Sequence, residues 1–238
     1  MRYNVKDIFN SPFAVFYEKV INKISSPVQV DRWRRKLIED VLAEVGNCKI
    51  VVDYCSGACN MGKILRSLPV PSSKAFILNC DISRPLLNLG KKEFSQKTAF
   101  VCADNRFFPV KNSYVDVVFS SFCVRNSPEP ERTVEEVYRV LKPGGAWGIL
   151  DFFRIKERAP ITAFNDFIFR SFMKLNGVLV PSHKEAIDYL FHSIEQFYTI
   201  DEFVNLLREK GFDVKLVRSY MGGVANTLVA IKQEVNYV

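Results

Sequence analysis

The sequence lacks any apolar run near the roughly 18 residues that a helix needs to cross a bilayer. Its first ten residues, MRYNVKDIFN, also lack the charged and then apolar pattern of a secretory signal peptide. From these two absences we expect a cytoplasmic protein whose contact with a membrane, if it has any, is peripheral.

The six cysteines form no C-x-x-C pair and show no spacing typical of a metal site. They fit reduced thiols of a cytosolic compartment, and small apolar packing residues are the simplest interpretation. Five of them fall near the ends of predicted strands, where they could surround a shared crevice, so an iron–sulfur or other metal site is the alternative. We expect no metal. The six are Cys48, Cys55, Cys59, Cys80, Cys102 and Cys123.

A cluster of basic residues interleaved with aromatics is also absent. The net charge is +7 and the pI about 9.1, but Lys and Arg are scattered along the chain. This distribution does not favour nucleic acid as a partner. An anionic membrane surface or an acidic small molecule remains compatible with the charge.

What the sequence does contain is an alternation of strand-like and helix-like segments over 238 residues. The segments SRPLLNLGKKEF and SPEPERTVEEVYRVLKPGG lie between apolar runs, and Ser127 is the expected cap of the second, with Pro128 in its first turn. The alternation predicts a parallel, doubly wound, Rossmann-like α/β sheet with helices on both faces. The predicted strands are Ile50–Tyr54, Ala75–Cys80, Ala99–Cys102, Val115–Ser121 and Ala146–Phe152.

The two ends of the chain extend this pattern. Helical periodicity at Val5–Lys23 and again up to Gly46 predicts a helical cover over residues 1–46. Residues 154–198 are rich in aromatics without a strand period and are predicted to be a helical insert. A capping box, Thr199 with Glu202, precedes the last helix. Phe212–Ser219 and Val224–Lys232 then predict an antiparallel hairpin, which gives a single domain over 1–238 with seven strands.

The turn after the first strand, in KIVVDYCSGACNMGKI, decides the class of ligand. A P-loop needs a hydroxyl where Ile64 stands, and a dinucleotide fingerprint needs a second glycine where Cys59 stands. Asp53, just before the turn, would repel a triphosphate. A phosphate ligand is therefore disfavoured.

Three carboxylates instead follow successive strands, and they suit a ligand that carries a positive charge, hydroxyls and an amine. S-adenosylmethionine has all three features. Asp81 is placed to accept the ribose hydroxyls and Asp104 the adenine amine, while Asp53 lies at the first turn. Any one of them alone is better explained as a helix cap or a solvated turn residue, but three in register favour the cofactor.

Several of these segments together resemble the ubiquinone/menaquinone biosynthesis C-methyltransferase family of class I S-adenosylmethionine-dependent methyltransferases. The resemblance runs from Asp31 to near the end of the chain. Its most specific part is VRNSPEPERTVEEVYRVLKPGG, and it also includes VVDYCSGACN, CDIS, EAIDYLFHSIEQF and GFDVKLVRSYMGGVANTLVAIK.

The resemblance implies which residues bind the cofactor. Asp53 and Gly57 would shape the first turn, and the implied contacts are Ala58, Asp81, Asp104, Asn105 and Ser121. Two departures weaken the assignment of the substrate. The family usually has Gly-Thr-Gly-Asp where this chain has Gly57-Ala58-Cys59-Asn60, so we expect residue 59 to avoid a positive φ, which would cost a Cys about 1 kcal/mol. The family's His-x-Gly near the end is replaced by VANTL.

The resemblance places the catalytic function at Arg125 and Asn126. Methyl transfer from a sulfonium is an in-line displacement, and a ring carbon becomes nucleophilic when a neighbouring hydroxyl loses its proton. We expect Arg125 to lower the pKa of that hydroxyl. The alternative is that Arg125 forms a structural salt bridge to a helix carboxylate.

The implied substrate is a small apolar aromatic ring, such as a demethylmenaquinone or a ubiquinone precursor, met in the cytoplasm or at the membrane surface. Two groups of aromatics would cover it, or would simply pack as core. We expect His183 and His192 to be surface residues, and analogy with the family suggests a homodimer. The alternatives are methyl transfer to another small molecule, a phospholipid or RNA, and a cofactor-binding protein that has lost catalysis. The covering aromatics are Phe164, Phe167, Phe169, Phe172 and Tyr189, with Phe13, Phe16 and Tyr17 on the other side.

Overall fold

A computed structural model describes residues 27–94, 97–155 and 184–233 of the chain. The predicted helix over Val5–Lys23 and the predicted covering aromatics other than Tyr189 lie outside these ranges, as does His183. The division of the chain into a cover at 1–46 and an insert at 154–198 therefore stays a prediction.

Seven strands form one sheet in the order β3-β2-β1-β4-β5-β7-β6. Strands β1 to β5 pair in parallel, and β7 is antiparallel to both β5 and β6. The predicted fold class, a mostly parallel seven-stranded sheet with an antiparallel C-terminal hairpin, is confirmed. The strands are β1 Ile50–Tyr54, β2 Phe76–Asp81, β3 Thr98–Cys102, β4 Val115–Ser121, β5 Leu141–Phe152, β6 Phe212–Tyr220 and β7 Ala225–Lys232.

Helices connect the strands and cover both faces of the sheet. The first helix ends where predicted, because Gly46 adopts a φ of 68° and donates its N–H to the Leu42 carbonyl at 2.9 Å. No helix in the described part of the chain is long and apolar enough to span a membrane. The described helices are α1 Pro27–Val45, α2 Asn60–Ser67, α3 Arg84–Lys91, α4 Pro130–Val140, α5 Lys184–Gln196 and α6 Ile200–Glu209.

Alternate residues of the central strands point to opposite faces and enter two separate cores. Val51 belongs to the core that contains Leu37 and Val41 of α1. Its neighbour Val52 belongs to the other core, with Val137 of α4. Because both faces are buried under helices, the strands read as continuous apolar runs, which is why the sequence located them well.

One helix boundary was predicted wrongly. Helix α4 begins at Pro130 with Glu129 as its N-cap, and not after Ser127. A short 3-10 turn over Val124–Asn126 occupies the preceding residues, and the Ser127 N–H closes it on the Val124 carbonyl at 3.0 Å. The Ser127 hydroxyl bonds Thr133 Oγ1 at 2.8 Å, so it ties the turn to the helix without capping it.

The capping box of α6 is confirmed. The Glu202 N–H donates to Thr199 Oγ1 at 3.3 Å, and the Thr199 N–H donates to Glu202 Oε2 at 2.8 Å. Two of the orphan donors at the start of the helix are thus satisfied reciprocally. The helix then leads through Gly211 into the hairpin of β6 and β7.

Candidate active site

The parallel strands bring the predicted site residues to one edge of the sheet, where the carboxyl ends of β1 to β4 meet. Asp53 pairs in register with Asn79 of β2 and with Phe119 of β4, and Asp81 pairs with Cys102 of β3. The crevice at this edge is the expected ligand site of an open α/β sheet.

Two carboxylates hold the backbone of the first turn, which we define as residues 55–62 and which includes the start of α2. Asp81 Oδ2 accepts the Gly57 N–H at 2.7 Å, and Asp53 Oδ2 accepts the Gly62 N–H at 3.1 Å. Gly57 itself has a φ of 53°, in the left-handed region that glycine adopts without strain. These contacts agree with the role predicted for Asp53 and Gly57, which is to shape the turn.

Cys59 contradicts the expectation that residue 59 avoids a positive φ. Its φ is 64°, and it is the residue just before α2. Its N–H donates to the Ser56 carbonyl at 2.6 Å, and its own carbonyl accepts the Lys63 N–H at 3.0 Å. The hydrogen bonds of the turn and of the helix start thus hold a conformation that costs a non-glycine residue about 1 kcal/mol.

Gly90 of α3 makes room for this turn, and sequence reasoning missed it. A Cβ at Gly90 would lie 2.5 Å from Cys59 Sγ and 2.9 Å from the Ala58 carbonyl oxygen. The signal in the sequence was a glycine inside an otherwise good helix, which usually has a packing reason. Ala58, a predicted cofactor contact, is buried beneath this approach of α3.

Asp81 lies at the end of β2 and is 8% exposed. Besides the Gly57 N–H, its carboxylate accepts the Ser83 N–H at 2.7 Å through Oδ1. Each carboxylate oxygen can accept more than one hydrogen bond, so these contacts orient the group without exhausting it. Asp81 therefore joins the first turn to the start of α3, at the position predicted for the ribose partner.

Asp53 is 2% exposed, and burial raises its pKa from the usual 3.8 to about 7. The Gly62 N–H and the Arg34 guanidinium oppose the shift by favouring the charged form, whereas the nearby Asp81 adds to it. Asp53 is thus a carboxyl group that changes charge near neutral pH in the wall of the crevice.

Asp104 and Asn105 follow β3 and are tied into place by neighbours. Arg106 grips Asp104 with two charge-assisted hydrogen bonds, Nε to Oδ1 at 3.0 Å and Nη2 to Oδ2 at 2.8 Å. The Tyr54 hydroxyl donates to the Asn105 carbonyl. Arg106, which sequence reasoning did not select, thus fixes the carboxylate predicted to meet adenine.

Ser121 ends β4 and accepts a hydrogen bond from Arg34 Nε at 3.1 Å. The Arg34 side chain is 9% exposed and also pairs with Asp31 at 2.9 Å. Sequence reasoning missed Arg34, although it lies three and four residues before Leu37 and Ile38, on the buried face of α1. This spacing was the available signal that its guanidinium points inward.

Arg125 lies in the turn after β4, residues 123–126, which we call the catalytic turn after the role predicted for it from the sequence. Its Nη1 donates to Asp151 Oδ1 at 2.7 Å, and the two side chains are 7% and 0% exposed. The alternative of a salt bridge thus exists, but to a carboxylate of β5 and not of a helix. Arg125 Nε is buried and has no hydrogen-bond partner among the described residues.

The side-chain amide of Asn126 holds the catalytic turn in place. Its Nδ2 donates to the Phe122 carbonyl at 2.9 Å, and its Oδ1 accepts from the Tyr189 hydroxyl of α5 at 3.0 Å. Burial raises the pKa of Tyr189 to about 12, so the hydroxyl stays a donor at neutral pH. The predicted covering residue Tyr189 therefore reaches the site, and His192 is an exposed helix residue as expected.

The expectation of six reduced thiols is wrong, because Cys55 and Cys123 form a disulfide. Cys55 follows β1 and Cys123 follows β4, and these strands are neighbours, so the two Cα atoms lie 5.6 Å apart, within disulfide range. The other four are free: Cys48, Cys59 and Cys80 are buried and Cys102 is exposed. Across residues 27–94, 97–155 and 184–233, no group of three or more acidic, His or Cys side chains could hold a metal ion.

Known proteins similar to this chain include methyltransferases. The model of the ubiE/COQ5 methyltransferase family matches residues 1–232. A ubiquinone/menaquinone biosynthesis C-methyltransferase UbiE from Campylobacter jejuni is 27% identical over 229 residues, which are 95% of this chain and 96% of that protein. The mitochondrial 2-methoxy-6-polyprenyl-1,4-benzoquinol methylase of Caenorhabditis elegans is 33% identical over 158 residues, 63% of this chain and 53% of that protein.

Solved structures support the fold. A putative methyltransferase in complex with the Haloferax volcanii Trm112 methyltransferase activator has a TM-score of 0.64 at 16% identity, covering 93% of this chain and 98% of that one. A putative methyltransferase from Bacillus halodurans has a TM-score of 0.61 at 16% identity, covering 84% and 99%. At these identities the likeness concerns architecture alone.

Proposed function

This chain belongs to the ubiE/COQ5 methyltransferase family, and on that premise we propose which of its groups bind the cofactor and the methyl acceptor. Membership makes it an S-adenosylmethionine-dependent methyltransferase that acts on carbon in quinone biosynthesis. The proposed acceptor is the reduced, apolar ring of a demethylmenaquinone or of a ubiquinone precursor.

The first part of the proposal concerns the cofactor. Asp81 receives the ribose hydroxyls, Asp104 and Asn105 receive the adenine, and Ala58 and Ser121 line the methionine end, with Asp53 and Gly57 supporting the turn. The support for this assignment is that the Asp81 carboxylate and the Gly57 N–H already lie 2.7 Å apart at the carboxyl ends of the strands. A crevice fixed before binding loses little conformational freedom when the ligand enters.

Arg34 joins this set on the strength of its position. Its guanidinium is nearly buried, donates to Ser121 and opposes the rise in the pKa of Asp53, so it lies between the ends of β4 and β1. The methionine moiety of the cofactor carries a carboxylate, which needs a cation in a site this dry. We assign that carboxylate to Arg34.

The acceptor site depends on one observation, the buried Nε of Arg125, for which the described part of the chain offers no hydrogen-bond partner. A buried donor left unsatisfied costs about 1 to 3 kcal/mol, so this Nε gains free energy from any acceptor that reaches it, a ligand oxygen included. The Phe122 and Phe152 rings flank the guanidinium, with centroids 5.9 Å and 5.3 Å from its carbon, and give the site an apolar wall. A quinol hydroxyl is the acceptor that would complete this arrangement.

The chemistry follows from that contact. Bound S-adenosylmethionine supplies an electrophilic methyl group on a sulfonium. Arg125 donates a hydrogen bond from Nε to the quinol oxygen, stabilises the phenolate and so raises electron density on the neighbouring ring carbon. Asp151 and Asn126 position Arg125 and its turn, while the aromatic walls exclude water that would otherwise screen the charge.

The alternative of a protein that binds cofactor but has lost catalysis was motivated by the altered first turn. That turn keeps its hydrogen bonds to Asp81 and Asp53 although Cys59 stands where the family has glycine. The substitution therefore does not argue against cofactor binding. The catalytic turn keeps Arg125 buried against Asp151. The geometry therefore favours an active enzyme over an inactive one.

The proposal also includes contact with the membrane surface and a homodimer. The protein would reach an apolar acceptor dissolved in a bilayer at the membrane surface. Its net charge of +7 would favour contact with anionic lipid. Analogy with the family suggests a homodimer.

Arg125→Lys tests the acceptor site. Lysine keeps a positive charge beside Asp151 but loses the planar fork and its Nε donor. We expect the turnover number with demethylmenaquinol and labelled cofactor to fall about 100-fold, the typical loss of one transition-state donor. The dissociation constant of S-adenosylmethionine, measured by calorimetry, should change less than about twofold.

Arg208→Lys is the matched control, because Arg208 is exposed in the last turn of α6, which leads to Phe212 at the opposite edge of the sheet from the crevice. This control should leave the turnover number and the dissociation constant of S-adenosylmethionine unchanged. Full turnover by Arg125→Lys would remove Arg125 from the mechanism. Cofactor binding by the wild type without transfer to any quinol or other acceptor would instead support lost catalysis.

A further inference from the structure

The Cys55–Cys123 bond is the covalent link between the two halves of the proposed site. Cys55 begins the first turn, directly after β1, and Cys123 begins the catalytic turn, directly before Val124–Asn126. The two residues are 68 positions apart in the chain. No other pair among the described cysteines is bonded.

We propose that Cys55 and Cys123 form a reversible dithiol/disulfide site, and that formation of the disulfide strengthens the binding of S-adenosylmethionine. The inference rests on the proposed function, since it concerns the same crevice. It concerns a modification of this chain, and neither the family's reaction nor its acceptor requires it.

The neighbouring contacts explain why the bond would influence the cofactor. Immediately after Cys55, the Ser56 N–H bonds the Cys80 carbonyl at 3.0 Å and the Gly57 N–H bonds Asp81. On the other side, the Cys123 carbonyl accepts the Asn126 N–H at 2.9 Å. A bond between the two cysteines therefore fixes the distance between the groups proposed to bind the cofactor and the turn that carries Arg125.

In the dithiol form the two sulfur atoms are no longer bonded and must separate to van der Waals distance. The first turn and the catalytic turn then gain freedom relative to each other. Binding of the cofactor must remove that freedom again, and this weakens the affinity. In the disulfide form the two turns have already lost this freedom, so this form should bind the cofactor more tightly.

The exchange reaction is balanced with a disulfide oxidant such as oxidised glutathione. The Cys55 thiolate attacks one glutathione sulfur and releases the first glutathione thiolate. The Cys123 thiolate then attacks Cys55 Sγ, forms the protein disulfide and releases the second. Two electrons pass to the oxidant, and the two protons lost by the cysteines end on the two glutathione molecules. Cys55 is the entry point because it is half-buried, whereas Cys123 is 1% exposed.

The remaining thiols near the crevice do not compete. Burial, reinforced by the Asp53 carboxylate, raises the pKa of Cys59 to about 12. Burial, reinforced by Asp81, also raises the pKa of Cys80. Both stay protonated at neutral pH and so are poor nucleophiles. Cys102, which is exposed, supplies the control thiol.

The test compares two redox states of the full-length wild type, so it needs no variant that might fail to fold. The protein is equilibrated with oxidised and reduced glutathione. One portion is quenched with acid and alkylated in denaturant, so that buried thiols are also counted by mass spectrometry. On the other portion, kept folded, the dissociation constant of S-adenosylmethionine is measured by calorimetry. We expect four alkylated cysteines in the oxidised form and six in the reduced form. The oxidised form should bind S-adenosylmethionine about fivefold or more tightly.

Linkage gives a second readout that involves no turnover. If the disulfide strengthens cofactor binding by some factor, saturating cofactor must shift the ratio of the squared concentration of reduced glutathione to the concentration of oxidised glutathione at half-oxidation by the same factor. The Cys55→Ser/Cys123→Ser variant should show one affinity in both buffers. Cys102→Ser should behave as the wild type.

The outcomes separate this inference from the proposed function. Alkylation of Cys55 and Cys123 in oxidised glutathione would overturn the inference, and so would equal affinities of the two redox forms for a cofactor that binds both. Absence of S-adenosylmethionine binding in either form would overturn the proposed function and the coupling with it.

Discussion

At the scale of single residues, Asp53 is a carboxylate whose burial raises its pKa to about 7. Between pH 4 and 7 the folded protein keeps a proton there that the unfolded chain has released. Stability therefore falls as the pH rises through this window, the reverse of what a salt-bridged aspartate would give.

Asp53→Asn should remove this dependence, because asparagine cannot ionise yet keeps an oxygen for the Gly62 N–H. From pH 4 to 7 we expect the wild type to lose up to about 4 kcal/mol more than the variant, at roughly 1.4 kcal/mol per pKa unit. Urea unfolding at a series of pH values measures the difference. The exposed Asp201→Asn should follow the wild type, and parallel curves for wild type and Asp53→Asn would show that Asp53 ionises normally.

Some residues of the site could be placed from the sequence and others could not. Asp53, Asp81 and Asp104 could be placed at one sheet edge because each follows a recognisable strand. Arg34, Arg106 and Asp151 could not be assigned to the site, since their partners lie far along the chain or in a turn without a pattern. The left-handed conformation of Cys59 also went against its residue type, because hydrogen bonds of the turn outweighed a penalty of about 1 kcal/mol.

At the scale of elements, α3 lies against the first turn so closely that only glycine fits at position 90. In an ordinary helix, Gly→Ala raises the stability by up to about 1 kcal/mol. A lower stability of the Gly90 variant would therefore come from the contact with the first turn and not from helix propensity.

Gly90→Ala should displace the first turn, because its Cβ would fall 2.5 Å from Cys59 Sγ. Overpacking of this kind costs about 1 to 3 kcal/mol, and we expect about a tenfold loss of S-adenosylmethionine affinity by calorimetry. Asn88→Ala, at an exposed position of α3, is the control. Adding Cys59→Gly should restore much of the binding, whereas unchanged affinity in Gly90→Ala itself would mean that the turn does not contact the cofactor.

Elements buried on both faces were the most predictable. Strands β1 and β4 begin and end at the predicted residues, because both are short segments dominated by valine, isoleucine and aromatic residues, which favour strands. The start of α4 was misplaced by two residues, since Ser127 and Pro128 offered a plausible cap and the 3-10 turn before them left no signal in the sequence.

At the scale of the whole molecule, the disulfide closes a loop between residues 68 positions apart. In the chain-entropy description such a loop restricts the unfolded chain by an amount worth about 4 kcal/mol.

Cys55→Ser/Cys123→Ser should therefore lower the free energy of unfolding by up to about 4 kcal/mol. Urea denaturation without reductant would measure it, and the wild type in dithiothreitol should approach the same value. Cys102→Ser should match the oxidised wild type. A wild type equally stable with and without reductant would contradict the expectation.

The sheet order has a consequence for synthesis of the chain. The crevice lies between strands that meet only after helical crossovers, and the Arg34 contact to Ser121 spans 87 residues. Arg125 gains its counter-charge only when β5, and with it Asp151, has left the ribosome and paired with β4. A nascent chain can therefore form the proposed acceptor site only after β5 has joined the central sheet.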